Sequence, residues 1–340
     1  MLGLSSALHE HSENPVDIPR RIAQKMRWMK FVLFLRKPAV WFLALLTAAC
    51  FVFASCRSGA GASTRTGSEF AFLAAGDMRQ FVEAKSPTER YFDGLCEEAK
   101  RIGPGEFMVT PGDFDPPAPV RATLDRYFGA DFHWYPVVGN HEIETPADLA
   151  WVEKWAANIP HLIRRGPPGA ELTTYSFDSG HAHFVAVNDY FDNKAVVKGK
   201  GAIAEVTLKW LEDDLAATKQ KHIFVIGHQP IESLPDMDSG RLRHGGESVS
   251  TNSAAAAKFV ALLQQFKVRA YICGHTHNTS VAKVKGIWQA DSGHARGAGD
   301  KGSPSTFLKF RVSGEQAWVD IYRAQTNGMN YTLRKTVVLD

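Results

Sequence analysis

From residue 70 onward, short apolar runs alternate with amphipathic stretches. The runs at 70–75, 107–110, 135–138, 183–187, 222–226 and 268–273 have the length and composition of buried strands. Between them, 88–102, 120–128, 148–157, 204–218 and 253–266 read as helices. In the fourth, Asp213 and Asp214 are followed by Lys219 and Lys221, basic groups where the C-terminal end of a helix dipole favours them. Strands alternating with helices predict a largely parallel sheet covered by helices. Past Cys273 the pattern changes. Apolar runs at 280–285, 287–290, 306–312, 317–322 and 331–338 follow one another without helices, as in a meander. The expectation is an α/β chain: a mixed β-sheet sandwich flanked by helices, in a single domain over 69–340.

Residues 1–56 read differently. Lys25, Arg27, Lys30, Arg36 and Lys37 precede an uncharged stretch over 39–55, as in an export signal or a short membrane span. It ends in Phe53-Ala54-Ser55-Cys56, and residues 57–68 form a tether rich in Gly, Ser and Ala. Small residues before a cysteine resemble a bacterial lipoprotein signal with Cys56 as the lipidated residue. Phe53 departs from the usual leucine, Cys50 is a weaker second candidate, and an uncleaved anchor is the other reading. All of these predict an exported domain tethered to a membrane, on the periplasmic or extracellular side.

Composition narrows the partners. The formal charge of +3 comes from the N-terminal segment; after residue 55 the chain has 32 basic and 33 acidic residues. A near-neutral domain lacks the electrostatic footprint of a nucleic-acid binder. Four cysteines are too few for a disulfide framework, and with Cys50 and Cys56 in the leader, Cys96 and Cys273 are expected to be buried thiols.

The chemistry gathers where the strands end. Leu73-Ala74-Ala75 runs into Gly76-Asp77-Met78-Arg79, and Val109-Thr110-Pro111 into Gly112-Asp113. Pro136-Val137-Val138 runs into Gly139-Asn140-His141-Glu142, Phe224-Val225-Ile226 into Gly227-His228, and Tyr271-Ile272-Cys273 into Gly274-His275-Thr276-His277. In open α/β sheets ligands sit outside the carboxyl ends of the strands. A glycine there permits a sharp turn and a close backbone approach. Asp, Asn and His, with no ligand cysteine among them, suit Fe, Mn or Zn in an open site rather than a structural zinc knot.

This order of motifs, from about Phe70 to His294, resembles the calcineurin-like metallophosphoesterase family. The runs Tyr175-Ser176-Phe177-Asp178, His183-Phe184 and Trp210-Leu211 look like that family's middle strands and following helix. The resemblance implies the family's four-layer fold and two divalent or trivalent metal ions, one on Asp77, Asp113 and His277. The other would lie on Asp113, Asn140, His228 and His275, with Asp113 as the bridge. It further implies a phosphate mono- or diester as substrate, attacked by a metal-bridging hydroxide, with His141 as the acid for the leaving group. A catalytically silent exported domain that binds a phosphorylated ligand or an envelope partner is the competing reading.

One position departs from the family pattern. Most members carry Asp-x-His at the first motif; here Arg79 stands at the histidine position, and a guanidinium has no lone pair to offer a metal. Pro116 stands where a Tyr-bearing variant would place its tyrosine. The first metal therefore keeps three protein ligands unless water or a neighbour such as Gln80 adds one. Arg79 either contacts substrate phosphate, as does Asn140, or pairs with a nearby carboxylate. Asp115 is a candidate partner or a turn residue. His183 is expected to orient structure. Arg241, Arg243 and His244, in a long polar loop, and His294 are either rim groups or plain surface.

Overall fold

The computed structural model describes residues 69–79, 88–192, 203–251, 253–297, 302–325 and 330–340. Cys50, Cys56, the rest of the leader and tether, and Gln80 lie outside the described residues. Among the described residues no helix is long and apolar enough to cross a membrane.

The elements run β1 (Phe70–Ala74), α1 (Thr88–Ile102), β2 (Phe107–Pro111), α2 (Pro117–Phe128), β3 (His133–Val137), α3 (Asn140–Glu144) and α4 (Pro146–Ala156). Next come β4 (Leu162–Arg165), β5 (Tyr175–Ser179), β6 (Ala182–Ala186), α5 (Glu205–Ala217), β7 (His222–Ile226), α6 (Ser253–Gln265) and β8 (Ala270–Cys273). The chain closes with β9 (Thr279–Val284), β10 (Ile287–Ser292), β11 (Thr306–Ser313), β12 (Gln316–Ala324) and β13 (Tyr331–Leu339). Helix α2 begins three residues before its apolar pattern, because Pro117 at its first turn has no N–H to satisfy and its φ is already helical.

Two mixed sheets result. One has the order β13-β12-β11-β1-β2-β3, the other β4-β5-β6-β7-β8-β10-β9. Each has a parallel part: β1-β2-β3 at one end of the first, and β6-β7-β8-β10 within the second. The largely parallel expectation holds only there. Antiparallel β11 pairs along all of β1, and the meander it starts completes the sheet as β11-β12-β13.

Between the sheets lies an aromatic core. Phe72 stacks on Phe310 at 4.8 Å and Phe107 at 5.1 Å, while Phe184 meets Phe72 and Phe107 edge-on at 5.0 Å. The stacked rings belong to neighbouring strands of the first sheet, and Phe184 on β6 meets them from the second, fixing one sheet against the other. Helices α5 and α6 cover the outer face of the second sheet through Leu208, Leu211, Phe259 and Leu263. Cys96 and Cys273 are buried free thiols.

His183 sits inside the second sheet. Its Nδ1 faces Asp178 Oδ1 at 2.7 Å and its Nε2 faces Asp214 Oδ2 at 2.9 Å; Ser176 Oγ donates to Asp214 at 2.9 Å. Burial lowers its pKa, but the two carboxylate hydrogen bonds outweigh burial and raise it. A raised folded pKa stabilises fully below the unfolded value of about 6.5 and is lost as pH rises through the folded value. His183→Phe should therefore cost more stability at pH 6 than at pH 9, as read by urea denaturation. An equal cost at both would show an uncharged ring.

Candidate metal centre

The carboxyl ends of β1, β2 and β3 in one sheet and of β7 and β8 in the other converge. Asp77, Asp113, Asn140, His228, His275 and His277 all come together there, and Arg79 and His141 line the same cavity. Four of the six turn through backbone that side-chain-bearing residues rarely adopt: φ is 54° at Asp77, 57° at Asp113, 70° at His275 and 57° at His277. Such conformations cost of order 1–3 kcal/mol each and persist only where the surroundings impose them. The preceding glycines contribute mainly space. A Cβ on Gly139 would lie 2.2 Å from Asp113 Oδ1, and one on Gly274 2.4 Å from Asp77 Oδ2.

Carboxylate, amide and imidazole ligand atoms crowd the centre, with the His141 backbone N–H donating to Asp113 Oδ1 at 3.2 Å and the His275 backbone N–H to Asp77 Oδ2 at 2.9 Å. His228 Nδ1 faces the Pro111 carbonyl at 2.7 Å, so it carries the proton and Nε2 is left with its lone pair. That Nε2 is 3.2 Å from Asn140 Oδ1, 3.2 Å from His275 Nδ1 and 3.4 Å from Asp113 Oδ1. On the other side, Asp77 Oδ1 lies 3.1 Å from His277 Nε2 yet, though fully buried, meets no donor in hydrogen-bonding geometry. Asp77, Asp113 and His277 can offer one ligand atom each within 4.8 Å of one another. Burial and the neighbouring Asp77 push the Asp113 carboxyl well above the usual range. Asp77 is held at about 2: burial raises it, but His277, His228 and His275 prevail. Two buried carboxylates and three imidazoles arranged this way fit cations with oxygen and nitrogen ligands.

Three supports escaped the sequence reading. Glu142 is fully buried; its Oε2 accepts the N–H of Asp113 at 3.0 Å and of Gly139 at 2.8 Å, and its Oε1 that of Phe114 at 2.7 Å. It thus ties the β2 turn to the β3 turn. Burial, with Asp113 beside it, raises its pKa to about 8 against the pull of those N–H groups. Asp189, after β6, accepts the Gln229 N–H at 2.6 Å; Asp291, on β10, accepts from Thr276 Oγ1 at 2.6 Å within the His275–His277 turn. Glu142 was in view in Gly-Asn-His-Glu. Asp189 and Asp291 lack the preceding glycine that marked the others.

The remaining candidates divide. Arg79 Nε donates to Asp115 Oδ1 at 3.3 Å, and the side chain, one quarter exposed, lines the cavity. His141 Nδ1 faces Glu144 Oε2 at 2.8 Å, with Nε2 3.6 Å from Asp113 Oδ2. Burial and Arg79 lower His141 to about 4 against Glu144; a bound phosphate's charge would act in the opposite direction. Arg243 and His244 line the cavity, with a guanidinium nitrogen of Arg243 on His277 Nδ1. Arg241 donates to Asn278 Oδ1 and the His277 carbonyl, and buried His294 packs 5.6 Å from His277 through its ring and binds the Ser303 carbonyl. Those two brace the centre rather than face the cavity. The cavity has a volume of about 840 Å³, room for a small ester.

The chain matches the Calcineurin-like phosphoesterase family over residues 65–279. It is 25% identical to rat tartrate-resistant acid phosphatase type 5 over 236 residues, 63% of this chain and 68% of the relative. Its fold is similar to that of GAP50, the anchor in the inner membrane complex of Plasmodium, with a TM-score of 0.54 at 15% identity, covering 80% of this chain and 89% of that one. It is also similar to that of PhoD, with a TM-score of 0.55 at 11% identity, over 80% and 70% of the two chains. The match extends from residue 65 through all six of the converging candidate positions, so the chain belongs to the calcineurin-like phosphoesterase family and is a metal-dependent hydrolase of phosphate esters.

Proposed function

We propose that the chain hydrolyses phosphate mono- or diesters at a two-cation centre. Asp77, Asp113 and His277 would hold one ion, and Asp113, Asn140, His228 and His275 the other. The observation that carries this reading is the convergence of buried carboxylate, amide and imidazole ligand atoms, with Asp77 Oδ1 buried and without a hydrogen-bond partner, around Asp113, which borders both sets. Iron, manganese or zinc fits these donors. When bound, such a pair activates water and polarises the phosphoryl oxygens.

The chain's own residues do the rest. Glu142 holds the Asp113 and Gly139 turns at fixed separation, so the ligands are positioned before substrate arrives. His141, oriented by Glu144 through Nδ1, presents Nε2 to the cavity; once the negative charge of the bound phosphate draws a proton onto that nitrogen, the imidazolium gives its Nε2 proton to the departing alkoxide oxygen. Asn140, at the cavity wall, contacts a phosphoryl oxygen from its amide. Asp115 engages Arg79 through Nε, which directs the guanidinium at the phosphate. A silent binding domain is not favoured, since six ligand positions and His141 are all in place. Hydrolysis of chromogenic phosphate mono- and diesters, abolished by chelation and restored by Mn²⁺ or Zn²⁺, is the test; turnover indifferent to chelation would refute the reading.

Arg79→Ala should raise KM about 10- to 100-fold while metal content stays the same, matching roughly 1.5–3 kcal/mol for a hydrogen bond to a charged group. Loss of metal with unchanged KM would assign Arg79 to holding Asp115 alone. Membrane tethering outside the cell rests on the 39–56 pattern; a Cys56→Ser protein of unchanged processing and mass would remove the lipid assignment.

A further inference from the structure

The long loop after β7 contributes a carboxylate to the centre that the motif order does not include. Glu247 Oε2 lies 3.0 Å from His275 Nε2, and its Oε1 lies 2.9 Å from His244 Nδ1. The loop carrying it is fixed at both ends. Buried Asp236 accepts from Arg323 Nη2 at 2.6 Å, Ser303 Oγ at 2.8 Å and the Thr279 N–H at 3.0 Å. Ser233 Oγ reaches the carbonyls of His244 and Glu247 at 2.9 and 3.0 Å, and the Glu247 N–H donates to the His244 carbonyl at 2.9 Å. Glu247 is therefore carried on a braced turn.

A neutral imidazole has one N–H and one lone pair. His275 Nδ1 lies 3.2 Å from His228 Nε2, on the side where the inner ligands converge, and is the nitrogen whose lone pair a cation there would use. Its Nε2 faces an acceptor-only carboxylate and is the nitrogen that keeps the proton. We propose that Glu247 is a positioning residue of the metal centre, fixing His275 as the Nε2–H tautomer so that Nδ1 faces the ion; the proposal rests on the two-cation reading above. His244 in turn holds the second oxygen of Glu247, setting the plane of the carboxylate. A carboxylate behind a ligating histidine fixes the ring's orientation and raises the basicity of the ligand.

The trio His244, Glu247 and His275 also has the spacing of a cation site of its own. In that arrangement His275 would have to give its Nε2 lone pair outward and lose its place among the inner ligands. The two arrangements are exclusive, which makes them separable.

The experiment uses the full chain freed of metal. Selective ¹⁵N-histidine labelling reads the His275 tautomer without any ion, and calorimetric titration with Mn²⁺ or Zn²⁺ reads affinity and stoichiometry. The wild type should carry the His275 proton on Nε2 and bind two ions. Glu247→Ala should lose that single tautomer and bind one of the two ions roughly 10- to 100-fold more weakly, the range for such partners, with the total unchanged. Glu247→Gln, whose amide oxygen still accepts a hydrogen bond, should keep the tautomer and most of the affinity. A wild-type His275 protonated on Nδ1, or a third ion that Glu247→Ala loses, would overturn the proposal. Failure of the wild type to bind any ion would instead sink the two-cation reading, and the tautomer would still decide whether Glu247 orients His275.

Discussion

Replacing Asp113 by alanine is expected to lower kcat/KM by at least about 10³-fold, equivalent to roughly 4 kcal/mol of transition-state stabilisation, and to reduce metal at both positions. A carboxylate has two oxygens for two ions, and Asp113 has Oδ1 directed to the His228 side and Oδ2 near His141. Asp113 thus borders both sets: it shares ligand-atom reach with Asp77 and His277 and lies 3.4 Å from His228 Nε2. The metal-free protein should respond in the opposite sense. Asp113 and Asp77 are buried together without a counter-cation, so Asp113→Asn should leave the apo melting temperature unchanged or raise it. The same variant should lose most of the stabilisation that added metal confers on the wild type. Thermal melts with and without Mn²⁺ check both signs, and near-normal turnover with two bound ions in Asp113→Ala would refute the bridging role.

The second large effect is on stability. Glu142→Ala removes the acceptor for three buried N–H groups, those of Asp113, Phe114 and Gly139. An unsatisfied buried donor costs about 1–3 kcal/mol, so the loss should be at least about 3 kcal/mol by urea denaturation. Glu142→Gln keeps one oxygen but brings an NH₂ against the remaining N–H groups, and should fall between the two. A loss below about 1 kcal/mol in the alanine variant would show that water or a shift of the turns replaces the clamp.

The sequence disclosed the centre more fully than its supports. Five strand ends could be read because a buried strand, a glycine and a polar residue are consecutive in the chain. Strand boundaries were off by one to two residues, for instance at β8, where Val268 and Arg269 precede the ladder. Helix α3 has five residues, too few to show a helical period, and β4 is half-exposed with two arginines. The pairing of β11 with β1 joins positions more than two hundred residues apart and leaves no local trace. Glu247 and Asp291 carry no local mark either. Their role comes from a loop anchored by Asp236 to Arg323, and from a strand beside the His275–His277 turn. Arg79 was conspicuous as a departure, and Asp115, a candidate partner or a turn residue in the sequence, is paired with it in the fold.

The most direct test of the account is metal-dependent turnover measured on the same reconstituted samples as metal content. Metal-free chain is loaded with increasing Mn²⁺ or Zn²⁺, bound ions are counted by elemental analysis, and hydrolysis of a chromogenic phosphate ester is followed at each step. The account predicts negligible turnover at zero ions and full turnover only as occupancy approaches two per chain. Full turnover at one ion or fewer would contradict a two-cation centre built on Asp113.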